Sequence, residues 1–183
     1  MQSETSQYLP IEELLNLMTH EHKLACQKIL EQEWRMKSAK GSENNHQSWE
    51  GGYLDHIHEV MNIADYLYIK LDYLRPMPFL ISDALIVLFL HDIEKPYKYT
   101  EEGFNIKTKR GRALFRLEMI KKYGIKLTLE QQNALKYVEG EGKDYTNLHR
   151  IMNELAAFCH VCDTISARVW HDYPKKEKDP WKG

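Results

Sequence analysis

Apolar residues recur along most of the chain at three- and four-residue intervals, and no run alternates at every second position between hairpin turns. Behind Pro10, the residues Ile11, Leu14, Leu15, Leu17, Met18, Leu24, Ile29 and Leu30 predict helix over 11–37. The composition of "KGSENNHQS" (40–48) predicts a loop. From Gly52 onward, Leu54, Ile57, Val60, Met61, Ala64, Leu67, Tyr68 and Leu71 trace one helical face. "RPMP" (75–78) breaks that helix, and Ser82 or Asp83 is placed to cap the next, which carries "LIVLFL" (85–90). A helix over 108–123 stops at Gly124. Thr128 followed by Gln131 forms a capping-box pattern for 128–138, and 146–171 reads as a last long helix. The expected fold is all-α, a bundle of about six helices.

At 183 residues the chain fits one domain with a sizeable core. "LIVLFL", extended back through "FLIS", gives about a dozen mostly apolar residues, short of the roughly 18 that span a bilayer. The polar, acidic N-terminus does not read as a signal peptide. A membrane partner is therefore not expected. The net charge of -2 supplies no overall basic field, which argues against nucleic acid as a partner. Cys26, Cys159 and Cys162 form no disulfide framework, so a reducing, cytoplasmic setting is expected. "CHVC" (159–162) has no second paired motif to complete a zinc site, and two small buried thiols account for it better. Tyr8 and Trp34, read as exposed aromatics, would suit a homo-oligomer interface.

Helical geometry singles out a few polar residues that face the core. At about 100° per residue, His56 lies within roughly 40° of Val60, Ile63 and Leu67. His58 falls on the opposite side, with Asn62, Asp65 and Ile69, and is read as a surface residue. In "LFLHDIEKPYKY" (88–99), His91 and Asp92 follow directly on the core run. On the last helix, Leu148, Met152, Leu155, Cys159, Cys162 and Ser166 share a face, with Asp163 at its flank. A carboxylate beside an apolar stripe is costly unless it is paired, hydrogen-bonded or bound to a metal. His56, His91, Asp92 and Asp163 together make a donor set for a divalent metal ion. Mixed nitrogen and oxygen donors do not choose among Mn, Fe, Co, Ni, Zn and Mg.

The order "GGYLDH", "LFLHDIEKP", "CHVCDTISAR" resembles the HD-domain superfamily of metal-dependent phosphohydrolases, with its H…HD…D signature on a helical bundle. The resemblance covers roughly residues 50–170. It implies an N-terminal helix and loop (1–48), an HD domain (49–172) and a charged tail (173–183). It also implies His56, His91, Asp92 and Asp163 as metal ligands, Asp92 as a bridge if two ions bind, and Lys95 as a phosphate contact. Glu94 departs from the usual Gly of "HDIGKP" and adds a carboxylate that could be catalytic or face solvent. Between Asp92 and Asp163 the only histidines are His149 and His160. Their scarcity favours a single-ion site and disfavours an iron oxygenase of the same fold.

The implied activity is hydrolysis of a small-molecule nucleotide, a (deoxy)nucleoside mono- or triphosphate, by a metal-activated water, with Asp92 or Glu94 taking the proton. Lys95, the basic run "KTKRGR" with Lys109, Arg110 and Arg112, then Arg116 and Arg168, are the candidate phosphate contacts. Each also has an ordinary reading as a solvated or ion-paired side chain. Tyr97, Tyr99 and Phe104 are placed either to stack on a base or to pack. "EGEGK" (139–143) reads as a turn that brings Glu139 or Glu141 to the pocket mouth. The alternative to an enzyme is a module of this fold that binds a nucleotide or partner without turnover.

Overall fold

The computed structural model describes residues 8–43, 46–98 and 106–169. Among them there is no strand, and the all-α expectation holds. The helices are α1 (Ile11–Asn16), α2 (His20–Gln32), α3 (Gly52–Leu74), α4 (Ile81–Leu90), α5 (Lys95–Lys98), α6 (Lys109–Lys122), α7 (Leu129–Tyr137) and α8 (Glu154–Thr164). A short π-helical turn, Ile165–Val169, extends α8. Tyr99, Phe104 and the tail 173–183 lie outside the described residues. No helix among the described residues is long and apolar enough to cross a membrane.

The centre of the bundle is α4. Every residue from Ala84 to Leu90 is buried, because that run is apolar on all sides and α3, α7 and α8 pack around the helix. Its cap differs from the expected Ser82 or Asp83. Leu80 is the N-cap, and the Asp83 carboxylate reaches back to accept the Leu80 N–H at 3.0 Å. The other Asp83 oxygen takes the Gln131 side-chain amide at 2.8 Å, which joins α4 to α7. The predicted Thr128–Gln131 capping box is present at the start of α7. Gly124 adopts a positive φ of 66° after α6, the left-handed stop that its position implies.

Two long helices expected from periodicity are shorter. Residues 11–37 divide because Thr19 acts as a fresh N-cap, its Oγ1 accepting the His22 N–H, and α2 gives way to a 3₁₀ turn over Trp34–Lys37. Residues 146–153 are not helical. Asn153 caps α8 by accepting the Ala156 N–H at 2.7 Å, while its own N–H and amide bind Asn133 and the Glu130 carbonyl on α7. Leu148 is consequently 87 % exposed rather than on the inner face, and His149 sits in the exposed approach to α8.

Two surface readings also change. His58 is half-buried: its Nε2 meets the Leu9 carbonyl at 2.6 Å, and the Tyr8 ring packs on it at 4.5 Å. With Asn62, whose side chain bonds both the N–H and the carbonyl of Leu9, it fastens the N-terminal segment to α3. Tyr8 is thereby half-buried, while Trp34 stays 65 % exposed. All three cysteines are free and buried, and burial raises each thiol's pKa, which fits the packing role over a zinc or redox role.

The Glu33 carboxylate ties the end of α2 to α5 and α6. It accepts from the Tyr97 and Tyr123 hydroxyls and from Lys122 Nζ at 2.6 Å. Burial would raise its pKa, but the bonds from Lys122, Tyr123 and Tyr97 outweigh that and hold it below 4.5. A carboxyl lowered in the folded state stabilises it above the ordinary carboxylate range, and that contribution disappears as pH falls through the lowered value. Urea midpoints measured from pH 7 to pH 3 should therefore fall less steeply for Glu33→Gln than for the wild type; superimposable slopes would contradict the assignment. In the core, Leu88→Ala should cost about 2–5 kcal/mol by equilibrium unfolding, since the side chain is fully buried.

Candidate metal centre

Three helical segments deliver four side chains to one point. His56 comes from the buried face of α3, His91 and Asp92 from the turn where α4 ends, and Asp163 from the last turn of α8. His56 Nε2 lies 3.3 Å from His91 Nε2, 3.5 Å from Asp92 Oδ2 and 3.3 Å from Asp163 Oδ1. His91 Nε2 lies 3.2 Å from Asp92 Oδ2 and 3.6 Å from Asp163 Oδ1. Neighbouring ligands bound at about 2.0–2.2 Å to one ion stand roughly 2.8–3.6 Å apart. These five separations have that spacing; the donor atoms of His56, His91 and Asp163 form one group that could hold a metal ion, while Asp92, which faces both histidines, groups with Glu94 and Glu139.

Hydrogen bonds at the far ring nitrogens decide what the near ones present. His91 Nδ1 donates to the Leu88 carbonyl at 2.6 Å, so a neutral His91 turns an Nε2 lone pair inward. His56 Nδ1 meets Ser166 Oγ at 3.0 Å, and Ser166 spends its hydroxyl proton on Glu59 Oε1 at 2.6 Å. Ser166 therefore accepts from His56 Nδ1, and the His56 Nε2 lone pair also points inward. The Gln47 amide donates to Glu59 Oε1 at 3.1 Å and closes this buried chain. Two lone pairs and two carboxylates converge, a set that is repulsive without positive charge at its centre.

The pKa shifts have the same origin. Burial lowers the His91 imidazolium's pKa, but Asp92 and Asp163 raise it to about 10. Burial would raise both carboxyls, yet Lys95, His91 and His56 hold Asp92 well below the usual range, and His56 and His91 do the same for Asp163. Positive charge at the cluster's centre, an imidazolium proton or a metal ion, would offset the repulsion. The imidazole and carboxylate donors of His56, His91 and Asp163, with a fixed tautomer on each histidine, could hold a divalent ion.

The centre opens into a cavity of about 570 Å³ whose wall includes Asp92, Glu94, Lys95, Lys98, Arg112, Glu139, His160, Asp163 and Arg168. Lys95 pairs with Asp92 Oδ2, the oxygen that also faces both histidines. Glu94 is buried rather than solvent-facing, and its Oε2 has no hydrogen-bond partner among the described residues. Burial first, and then Asp92, raise its pKa to about 7 against the opposing pull of Arg116. Arg112 and Arg116 approach Glu94 at 3.7 and 3.9 Å.

The remaining sequence candidates are dispersed. Arg116 is not on the cavity wall; it braces the turn from behind, donating to the His91 carbonyl at 2.6 Å. Lys109 and Arg110 are exposed at the start of α6. Arg110 and Tyr97 border a separate cavity of about 540 Å³. The Tyr97 ring packs on Phe115 at 4.9 Å and its hydroxyl binds Glu33, which makes it a packing residue here. Of the two turn glutamates, Glu139 lines the cavity, while Glu141 accepts the Met152 N–H at 3.1 Å.

Sequence reasoning passed over His46, Gln47, Glu59, Ser166 as a hydrogen-bonding partner, Lys98 and the cavity position of His160. Glu59 had a legible signal, a carboxylate one turn from Ile63 and adjacent to Val60 on the buried side of α3. The π-helical turn that aims Ser166 at His56 had none.

Compared with protein-family models, with curated proteins and with solved structures, the chain matches none. Ser166→Ala should leave the protein folded and weaken divalent-cation affinity about 10- to 100-fold, by freeing the His56 tautomer. Calorimetric titration of stripped protein with Mn²⁺ reads this directly, and an unchanged affinity would remove Ser166 from the account.

Proposed function

We propose that the protein is a metal-dependent phosphohydrolase of the HD type that acts on a small nucleotide. The observation that carries this reading is the meeting of His56 Nε2 and His91 Nε2 with Asp92 Oδ2 and Asp163 Oδ1, two carboxylates that line a cavity also bordered by Lys95, Lys98, Arg112 and Arg168. The ordered resemblance of "GGYLDH", "LFLHDIEKP" and "CHVCDTISAR" to that superfamily supports it. A divalent ion held by those four residues would lower the pKa of a bound water and offset charge on a phosphoryl group.

The chain's own residues supply the rest. Lys95, Lys98, Arg112 and Arg168 border the cavity from α5, α6 and the turn after α8, and offer charge-assisted bonds to phosphate oxygens. Asp92 and Glu94 are the carboxylates beside the reacting position, and either can take the water's proton. Arg116 acts through others: by gripping the His91 carbonyl and facing Glu94, it positions the His91–Glu94 turn. The cavity volume of about 570 Å³ suits a mononucleotide-sized ligand. Among the described residues no aromatic ring lines it apart from those of His46 and His160, so base recognition by Tyr97 stacking is not part of the reading.

Stripped protein loaded separately with Mn, Co, Ni, Zn, Mg or Fe, and offered ribo- and deoxynucleotides, should release a phosphate-containing product with at least one metal. Asp92→Ala should reduce that turnover by at least about 10²-fold while the protein stays folded. Binding without turnover under every metal would favour the non-catalytic module. Oxygen consumption with bound iron would favour the oxygenase.

A further inference from the structure

One side of the cavity is built by α8 and the end of α7. His160, Asp163, Thr164, Ala167 and Arg168 line it at three- and four-residue spacing, so a single face of α8 and its π-helical extension looks inward. His160 is the first of them, one turn before Asp163. Its Nδ1 meets the Val138 carbonyl at 2.7 Å. A carbonyl only accepts, so Nδ1 carries the proton and the neutral ring keeps a lone pair on Nε2.

The backbone after α7 holds this ring and leaves Nε2 unused. Gly140 has a φ of 93°, which favours glycine, and its N–H donates to the Tyr137 carbonyl at 2.7 Å. A Cβ on Gly140 would stand 3.4 Å from His160 Cε1 and 3.7 Å from Nε2, over the edge of the ring. Nε2 has no hydrogen-bond partner among the described residues and, on a half-buried ring that lines the cavity, it stays open to solvent. Glu139 lies between the two residues that flank the ring and also lines the cavity. Two acceptors, His160 Nε2 and the Glu139 carboxylate, thus share a wall with Lys95, Lys98, Arg112 and Arg168, whose side chains only donate.

We propose that His160 is a specificity-determining residue whose Nε2 accepts a hydrogen bond from a sugar hydroxyl of the ligand, with Glu139 as the neighbouring acceptor. The inference rests on the phosphohydrolase reading and narrows it to phosphate esters that carry a free sugar hydroxyl. Ionised phosphate oxygens only accept, so they bind the lysines and arginines and gain nothing from a lone pair. A hydroxyl can donate to it. His160 stands three residues from Asp163, about 4.5 Å of helix rise. A sugar phosphate covers that span between its phosphoryl group and its ring hydroxyls. An acceptor in this place disfavours an ester that lacks the hydroxyl.

The test compares two phosphate monoesters, ribose 5-phosphate and methyl phosphate, which has no hydroxyl. Each is titrated into Mn²⁺-loaded protein by calorimetry, and phosphate release is followed in parallel so that hydrolysis is not read as binding. Mn²⁺ affinity and thermal unfolding are measured on the same samples. The wild type should bind ribose 5-phosphate more tightly than methyl phosphate. His160→Ala should weaken ribose 5-phosphate binding about 5- to 10-fold and leave methyl phosphate and Mn²⁺ affinities unchanged. His160→Gln, whose amide oxygen is an acceptor at similar reach, should recover part of the loss. If alanine unsettles the α7–α8 packing, His160→Leu fills the space without an acceptor and should show the same selective defect. Wild-type affinity for ribose 5-phosphate in the alanine or leucine variant would overturn the proposal. Equal losses for both esters would overturn it too, because His160 would then act on the phosphate or on the shape of the site. A wild-type protein that binds Mn²⁺ but neither ester would instead overturn the phosphohydrolase reading, and this inference with it.

Discussion

Two imidazoles are each committed at Nδ1 to a partner outside the site, and their Nε2 lone pairs are thereby driven together against two carboxylates. The Leu88 carbonyl fixes one ring, and the Ser166–Glu59–Gln47 chain fixes the other. Such a centre is stable only around positive charge. Its members come from α3, the end of α4 and the end of α8, and the packing of these helices keeps each imidazole Nε2 within 3.6 Å of both carboxylates. The apolar run of α4, Ala84–Leu90, matters here because it is buried at the centre of the bundle. It ends where His91 begins, with its last turns buried on every side.

Charge around the centre is graded. At the floor, Asp92 and Asp163 are held ionised by the histidines and, for Asp92, by Lys95. One layer out, Glu94 is buried with an unsatisfied oxygen between two arginines that stand too far for direct bonds. At the rim, Lys98, Arg112 and Arg168 face Glu139. Four cationic side chains thus share the wall of this space with four carboxylates, and the cations are the groups that a negatively charged ligand would meet. Those cations link the geometry to the proposed phosphohydrolase chemistry.

The four converging residues were legible because each had a local signature. His56 fell on the apolar stripe of α3, and His91–Asp92 interrupted a core run. Asp163 flanked the buried face of α8, although the helix begins at Glu154 and not at 146. What the sequence could not carry depends on tertiary contacts. Ser166 reaches His56 through a π-helical turn that no periodicity announces. His46 and Gln47 sit in a stretch whose composition signals only a loop, and the close approach of Gly52 to Gln47 becomes visible only once α3 is in place. The basic run 107–112 reads as one patch, but α6 turns Arg112 toward the cavity and leaves Lys109 and Arg110 in solvent. Thr19 and Asn153, residue types that favour N-caps, were passed over, and they divide the two helices that periodicity alone runs too long.

The claim on which everything else stands is that one divalent ion is shared by His56, His91, Asp92 and Asp163. Anomalous scattering from Mn²⁺-soaked crystals, recorded above and below the manganese edge, tests it most directly. The account predicts one strong peak at about 2.0–2.3 Å from all four donor atoms. No peak there at saturating Mn²⁺, or a peak bound by other side chains, would contradict it.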